Sequence, residues 1–278
     1  MSIIREIKSD LLGDLRMEIY NSANELVDDL QKRKKTSSQF KSNEYDEKSW
    51  VGATRQEAYQ MLREGYQPTV DAVKGKLKVR ATEKRFKRFD DVAGFAPIVP
   101  NAILGLPKSM INSSMLPIKA KVVDVYYDMT VTCNFTSADL IRVGQKILGT
   151  ILALEHQGYR FNLYTVTDYS DSEGCDMVCV KVKTASQPFD LKRMSFTTTH
   201  TAFFRGIGFE WYAKFPRGRY RFGYGRPICA EHGADKAREE FRKLFGRSAI
   251  YLSATELIKN KEDADDLIKG ALTNDKTP

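Results

Sequence analysis

The sequence has no apolar run approaching the roughly 18 residues that a membrane span needs, so no transmembrane segment is expected and no membrane partner. Its 18 glycines and 9 prolines among 278 residues are too few for a fibrous or low-complexity chain. The opening residues Met1 to Lys8 mix acids and bases, leaving neither an apolar signal core nor an acid-free transit segment, and a cytoplasmic location is expected. Four cysteines, at 133, 175, 179 and 229, form no CxxC pair and are too sparse for a disulfide scaffold. Reduced, mostly buried thiols are the expectation. The three histidines, at 156, 200 and 232, fall in no metal-binding spacing such as HExxH. Neither GxxxxGK[ST] nor a GxGxxG following a strand occurs, which removes the ordinary nucleotide-binding motifs. No catalytic residue and no cofactor is read from the residues alone, which leans against an enzyme and leaves the question open.

What is present is a core-forming composition with a basic excess. Hydrophobic residues make up 42% of the chain, enough to bury a core over one large domain or two small ones. Lys plus Arg outnumber Asp plus Glu by 44 to 36, a net charge of +8 that favours an anionic partner. Two windows concentrate it. Residues 74 to 88 hold eight cations against the single acid Glu83, with Phe86 and Phe89 interleaved. Residues 214 to 226 hold five cations and four aromatics. Arginines reach phosphates bidentately and aromatic rings offer stacking faces. The candidate nucleic-acid contacts are therefore Lys84, Arg85, Lys87 and Arg88 in the first window, and Arg217, Arg219, Tyr220, Arg221, Tyr224 and Arg226 in the second. Solvated helix and strand faces explain the same residues without a ligand.

The hydrophobic pattern predicts three parts. In residues 1 to 48, apolar residues at Ile4, Ile7, Leu11, Leu15, Ile19, Ala23, Leu26 and Leu30 read as a long amphipathic helix, followed by a polar linker. Residues 49 to 118 read as a helical lead-in, with a capping box at Thr54 to Glu57, a helix from Arg55 to Glu64 and a proline-rich irregular connector after Ala93. Residues 119 to 278 alternate strands and helices. The predicted strands are 121 to 133, 159 to 167, 176 to 183, 220 to 224 and 249 to 252, and the predicted helices are 139 to 156, 192 to 213, 234 to 245 and one from 255 onward. That alternation predicts an α/β fold of three layers, a largely parallel sheet flanked by helices, behind an N-terminal helical extension. Cys229, Glu231 and His232 stand together after a strand, where a Cys-His nucleophile is conceivable, but no oxyanion-hole signature accompanies them.

The stretch VVDVYYDMTVT, followed by a helix ending LALEHQGY and the strand RFNLYTV, resembles the opening of a von Willebrand factor A-like domain. The resemblance implies a binding surface and a divalent cation, magnesium, held by Asp128, Thr130 and Thr132. The wider pattern from Ser49 to about residue 225 is similar to bacteriophage proteins in which such a core follows a helical lead-in. It implies a phage-encoded, non-enzymatic accessory or assembly protein that binds a protein partner or self-associates, located in the host cytoplasm or the virion. The other open reading is a sequence-nonspecific nucleic-acid-binding protein that uses the two basic windows.

Overall fold

The computed structural model describes residues 2–34, 48–76, 86–115, 121–214 and 225–274. Its first elements correct the N-terminal helix: strands β1 (Ile3–Ser9) and β2 (Gly13–Tyr20) form an antiparallel hairpin, and only α1 (Ala23–Lys32) is helical. The reason lies in the spacing. Ile7, Leu11, Leu15 and Ile19 are four apart, and an even step keeps side chains on one face of a strand as well as of a helix. Gly13 decides between them, since its φ of +64° belongs to a tight turn. The Ser9 hydroxyl accepts from the Leu11 and Leu12 amides and supports that turn.

Short helices follow: α2 (Lys48–Val51), α3 (Arg55–Glu64) and α4 (Gln67–Lys76). The expected capping box is formed, with Thr54 and Glu57 bonding each other's amides, and Gly65 ends α3. Next come β3 (Phe86–Asp91), β4 (Ala96–Pro97), α5 (Val99–Ile103) and β5 (Met110–Met115). The supposedly irregular connector is thus a small sheet of its own, in the order β3-β5-β4. Prolines sit where they cost no ladder bond, Pro97 on the outer strand β4 and Pro100 in the first turn of α5.

The remaining elements build the main body. They are β6 (Val122–Asp128), α6 (Ser137–His156), β7 (Arg160–Ser170), β8 (Gly174–Lys183), α7 (Leu191–Thr199), a π-type stretch at Ala202–Gly208, α8 (Phe209–Lys214), α9 (Ile228–His232), α10 (Ala234–Phe245), β9 (Ile250–Ser253), α11 (Ala254–Ile258) and α12 (Ala264–Asn274). The strand predicted through Cys133 stops at Asp128, and the helix predicted over 192 to 213 is broken at His200, whose backbone is extended. The predicted strand at 220 to 224 lies outside the described residues.

The six-stranded sheet has the order β1-β2-β8-β7-β6-β9. It is mixed rather than largely parallel: β2·β8, β7·β6 and β6·β9 run parallel, while β1·β2 and β8·β7 are antiparallel. The hairpin therefore extends the same sheet instead of packing apart as an arm. Strand β6 is internal, as its apolar density suggested, and its side chains alternate between two cores. Val123, Val125 and Tyr127 enter the larger core with α6, α7 and α8, while Tyr126 enters the smaller one against Phe241 and Phe245 of α10. Helices α6 and α7 approach closely at Gly144, where a Cβ would lie 2.3 Å from the Thr198 carbonyl oxygen.

Candidate functional site

Parallel strands in α/β folds present their carboxyl ends to the crevice where ligands bind. Here β6 and β9 end at Asp128 and Ser253, which are register partners, and Asp168 lies on β7 near its end. Asp128 and Asp168 are both fully buried. The Tyr251 hydroxyl donates to Asp128 Oδ2 at 2.7 Å and the Thr130 amide to Oδ1 at 2.8 Å. The Thr130 hydroxyl in turn accepts from the Asp168 amide at 2.8 Å, and its carbonyl accepts from the Thr255 hydroxyl at 3.2 Å. Neither carboxyl oxygen of Asp168 makes a hydrogen bond of normal geometry among the described residues.

Burial raises the proton affinity of both carboxyls, and at Asp168 burial first and the facing Asp128 second carry it well above the ordinary range. Asp128, with two donors pointed at it, holds the negative charge, and Asp168 keeps the proton. Acid–base catalysis needs a substrate within hydrogen-bond reach, and full burial closes the pair to one.

The neighbouring nucleophile candidates are equally occupied. Cys229 Sγ lies 2.9 Å from Ser253 Oγ, and burial pushes its thiol up to about 12. His232 Nε2 lies 3.1 Å from Ser170 Oγ, while Glu231 pairs with Arg226. Cys229, Glu231 and His232 therefore point to three different partners, and no Cys-His pair forms. Cys175 and Cys179, four residues apart, share one face of β8 inside the smaller core, and Cys133 is the exposed thiol.

The donor set does not fit a magnesium ion. A hard divalent cation takes an octahedral oxygen shell, and at Asp128 it would displace the Tyr251 and Thr130 bonds already made. The Thr130 hydroxyl is engaged with Asp168, and the half-buried Thr132 offers its carbonyl to Arg205. Among the described residues no three His, Cys, Asp or Glu side chains are grouped to hold a metal.

Of the proposed nucleic-acid contacts, Lys84, Arg85, Arg217, Arg219, Tyr220, Arg221 and Tyr224 lie outside the described residues, and Lys87 and Arg88 fall on strand β3. Arg226 is at the carboxyl edge of the sheet, where its carbonyl accepts from the Ser170 amide at 3.0 Å and its guanidinium holds Glu231. Lys214, which opens the second window, is buried against Glu210 and the Leu30 carbonyl. Sequence reasoning missed Asp168 and Tyr251. The strand predicted to end at residue 167 continues to Ser170, so β7 carries Asp168 inside the sheet. A lone acid in the β-branched and aromatic run Leu163 to Tyr169 was the signal available.

The chain belongs to the family described as Domain of unknown function (DUF7192), whose model matches residues 10–274. No curated protein and no solved structure matches it.

Proposed function

We propose that this chain is a phage-encoded accessory or assembly protein of the host cytoplasm or virion that acts by binding and self-association rather than catalysis, on a von Willebrand factor A-like core. An internal strand ending in Asp128-x-Thr130-x-Thr132, in a sheet with helices on both faces, supports the core assignment. The magnesium ion is not carried into this reading, because the residues around Asp128 bond one another.

The observation that carries the proposal is where apolar side chains are left in water. Phe89, Val92, Phe95, Val99, Ile103, Leu104 and Leu106, all in residues 86–115, are exposed, and so are Ile3, Ile4 and Ile7 on β1. Among the described residues the one other large apolar side chain this exposed is Val122. Apolar surface concentrated in this way marks an interaction site. The occupant is a second copy of the chain: the apolar unit of one copy covers the β1 edge of the next, where a sheet edge leaves backbone groups unpaired. Such a head-to-tail contact builds rings or filaments.

Light scattering across a concentration series tests this. I103E/L104E replaces the last side chain of α5 and the one that follows it, which are 78% and 72% exposed. It should abolish the oligomer at unchanged melting temperature; an unchanged oligomer mass, or a wild-type monomer at all concentrations, overturns the proposal. Truncation at Ser49 is no test, since it deletes two strands of the main sheet.

The second reading, sequence-nonspecific nucleic-acid binding, is favoured by composition: residues 215–224 hold three arginines and two tyrosines. Its test is the salt dependence of binding to labelled single and double strands. Counterion release predicts a steep decline with salt, flattened in R219A/R221A/R226A.

A further inference from the structure

Each sheet has one long edge strand and one short one. The six-stranded sheet ends on β1, with seven residues, and on β9, whose four residues are all buried; the small sheet ends on β3, with six, and on β4, with two. We propose that β3 of one copy pairs with β1 of the next, antiparallel, with residues 86 to 91 running opposite residues 8 to 3. The inference rests on the self-association reading and gives that contact its strand register.

Strand β1 lacks devices that commonly close a sheet edge. It contains no proline, it pairs with β2 over seven consecutive positions without a bulge, and its first six residues are exposed. Ile3 and Ile7 fall on one face and Ile4 on the other, so each face carries uncovered apolar surface. The unit at 86–115 has the matching shortage: none of its described side chains is buried, so it has no core of its own. A three-stranded sheet needs a covered apolar face to be stable. Within one chain β1 and β3 belong to separate sheets. Pairing between copies gives both strands a ladder of backbone hydrogen bonds and places Phe89 on the face that carries Ile3 and Ile7.

Charge selects the register. All six residues of β3 can lie opposite β1 in four ways, two parallel and two antiparallel. Both parallel alignments set Arg5 against a cation, Arg88 or Lys87, and one antiparallel alignment sets Lys8 against Lys87. Like charges directly opposite destabilise a strand pair. The remaining alignment sets Glu6 opposite Arg88 and Arg5 opposite Phe89, and no like charges face each other. Glu6 is open to this, since its side chain is 64% exposed and its partner within the chain, Arg16, lies 3.7 Å away.

The test is disulfide trapping in the full-length protein carrying Cys133→Ser, which removes the exposed native thiol. I4C/D90C and R5C/F89C occupy opposite positions in the proposed register, and one of two adjacent antiparallel pairs is of the closely spaced kind. Mild oxidation should link copies into dimers and larger species through at least one of them. It should not do so through I4C/F86C or R5C/K87C, which are opposite only in a parallel alignment. Glu6→Lys should weaken assembly about fivefold, and adding Arg88→Glu should restore it. If light scattering shows an assembled protein that cross-links equally through both sets or through neither, strand pairing is overturned and self-association stands. A Glu6→Lys loss that Arg88→Glu does not restore has the same consequence, whereas a monomer at every concentration overturns both.

Discussion

The two ends of the parallel strands treat charge in opposite ways. At the carboxyl end of β6, β7 and β9, carboxyls, hydroxyls and a thiol are buried and face one another; at the amino end, Arg242 and Arg247 stand exposed beside an open cavity with no carboxylate of the described residues within ion-pair distance. The buried groups at the carboxyl end are closed to a ligand, and Asp128, Thr130, Tyr251 and Thr255 bond one another and hold the fold together. Exposed like charges contribute nothing to the fold and have their bonding capacity free. Position at the carboxyl end, the usual guide to function in α/β proteins, therefore points here to the closed end.

Breaking the closed end should cost most. Asp128→Ala leaves the Tyr251 hydroxyl and the Thr130 amide as buried donors without their acceptor, and urea denaturation should show a loss of about 3 kcal/mol.

Acid should act on the same end through His200. This histidine is buried against Tyr66 and Phe196, and its Nδ1 accepts from the Ala202 amide, so burial lowers its pKa to about 4 from 6.5. A lowered folded value for a base favours the neutral ring: the stability is complete above pH 6.5 and is lost as pH falls through 4. The loss should reach about 3 kcal/mol, and His200→Gln, which keeps an acceptor but cannot titrate in this range, should flatten it in urea midpoints followed across that window.

A finer test separates the two carboxyls. The raised Asp168 value means that its contribution is complete below the ordinary carboxyl range near 3.8 and is lost as pH rises through the folded value. Asp168→Asn removes that titration, so the variant should gain on the wild type as pH rises through the folded value. A constant difference across pH would show that Asp168 does not hold the proton.

The smallest effect belongs to the open end. R242Q/R247Q should leave stability within about 0.5 kcal/mol of the wild type, with any change toward greater stability, because exposed unpaired charges are being removed. A large loss would make these arginines part of the fold and erase the contrast between the two ends.

Much of the main body was legible because local rules agree there with burial. The Thr54 capping box, the helix Ala234–Phe245, the internal strand at Val122 and the shared face of Cys175 and Cys179 all follow from spacing that admits one structure. The N-terminal hairpin was illegible because four-residue steps suit a helix and a strand alike, and the small sheet at 86–115 because prolines there fall on an outer strand and a first helical turn. Of the site, Asp128 and Thr130 were visible as a pattern but not as hydrogen-bonding partners of Tyr251 and Asp168, which are 123 and 38 residues away.

What the sequence determined by itself is the alternation of strands and helices from residue 121 onward and the basic excess, since hydrophobic period and charge are properties of neighbouring residues. Which strands pair in parallel, and whether an acid is buried or an arginine is left without a counter-charge, only the tertiary structure decided. Those outcomes depend on residues far apart in the chain being brought within a few ångströms, where desolvation and Coulomb terms become large enough to set protonation and pairing.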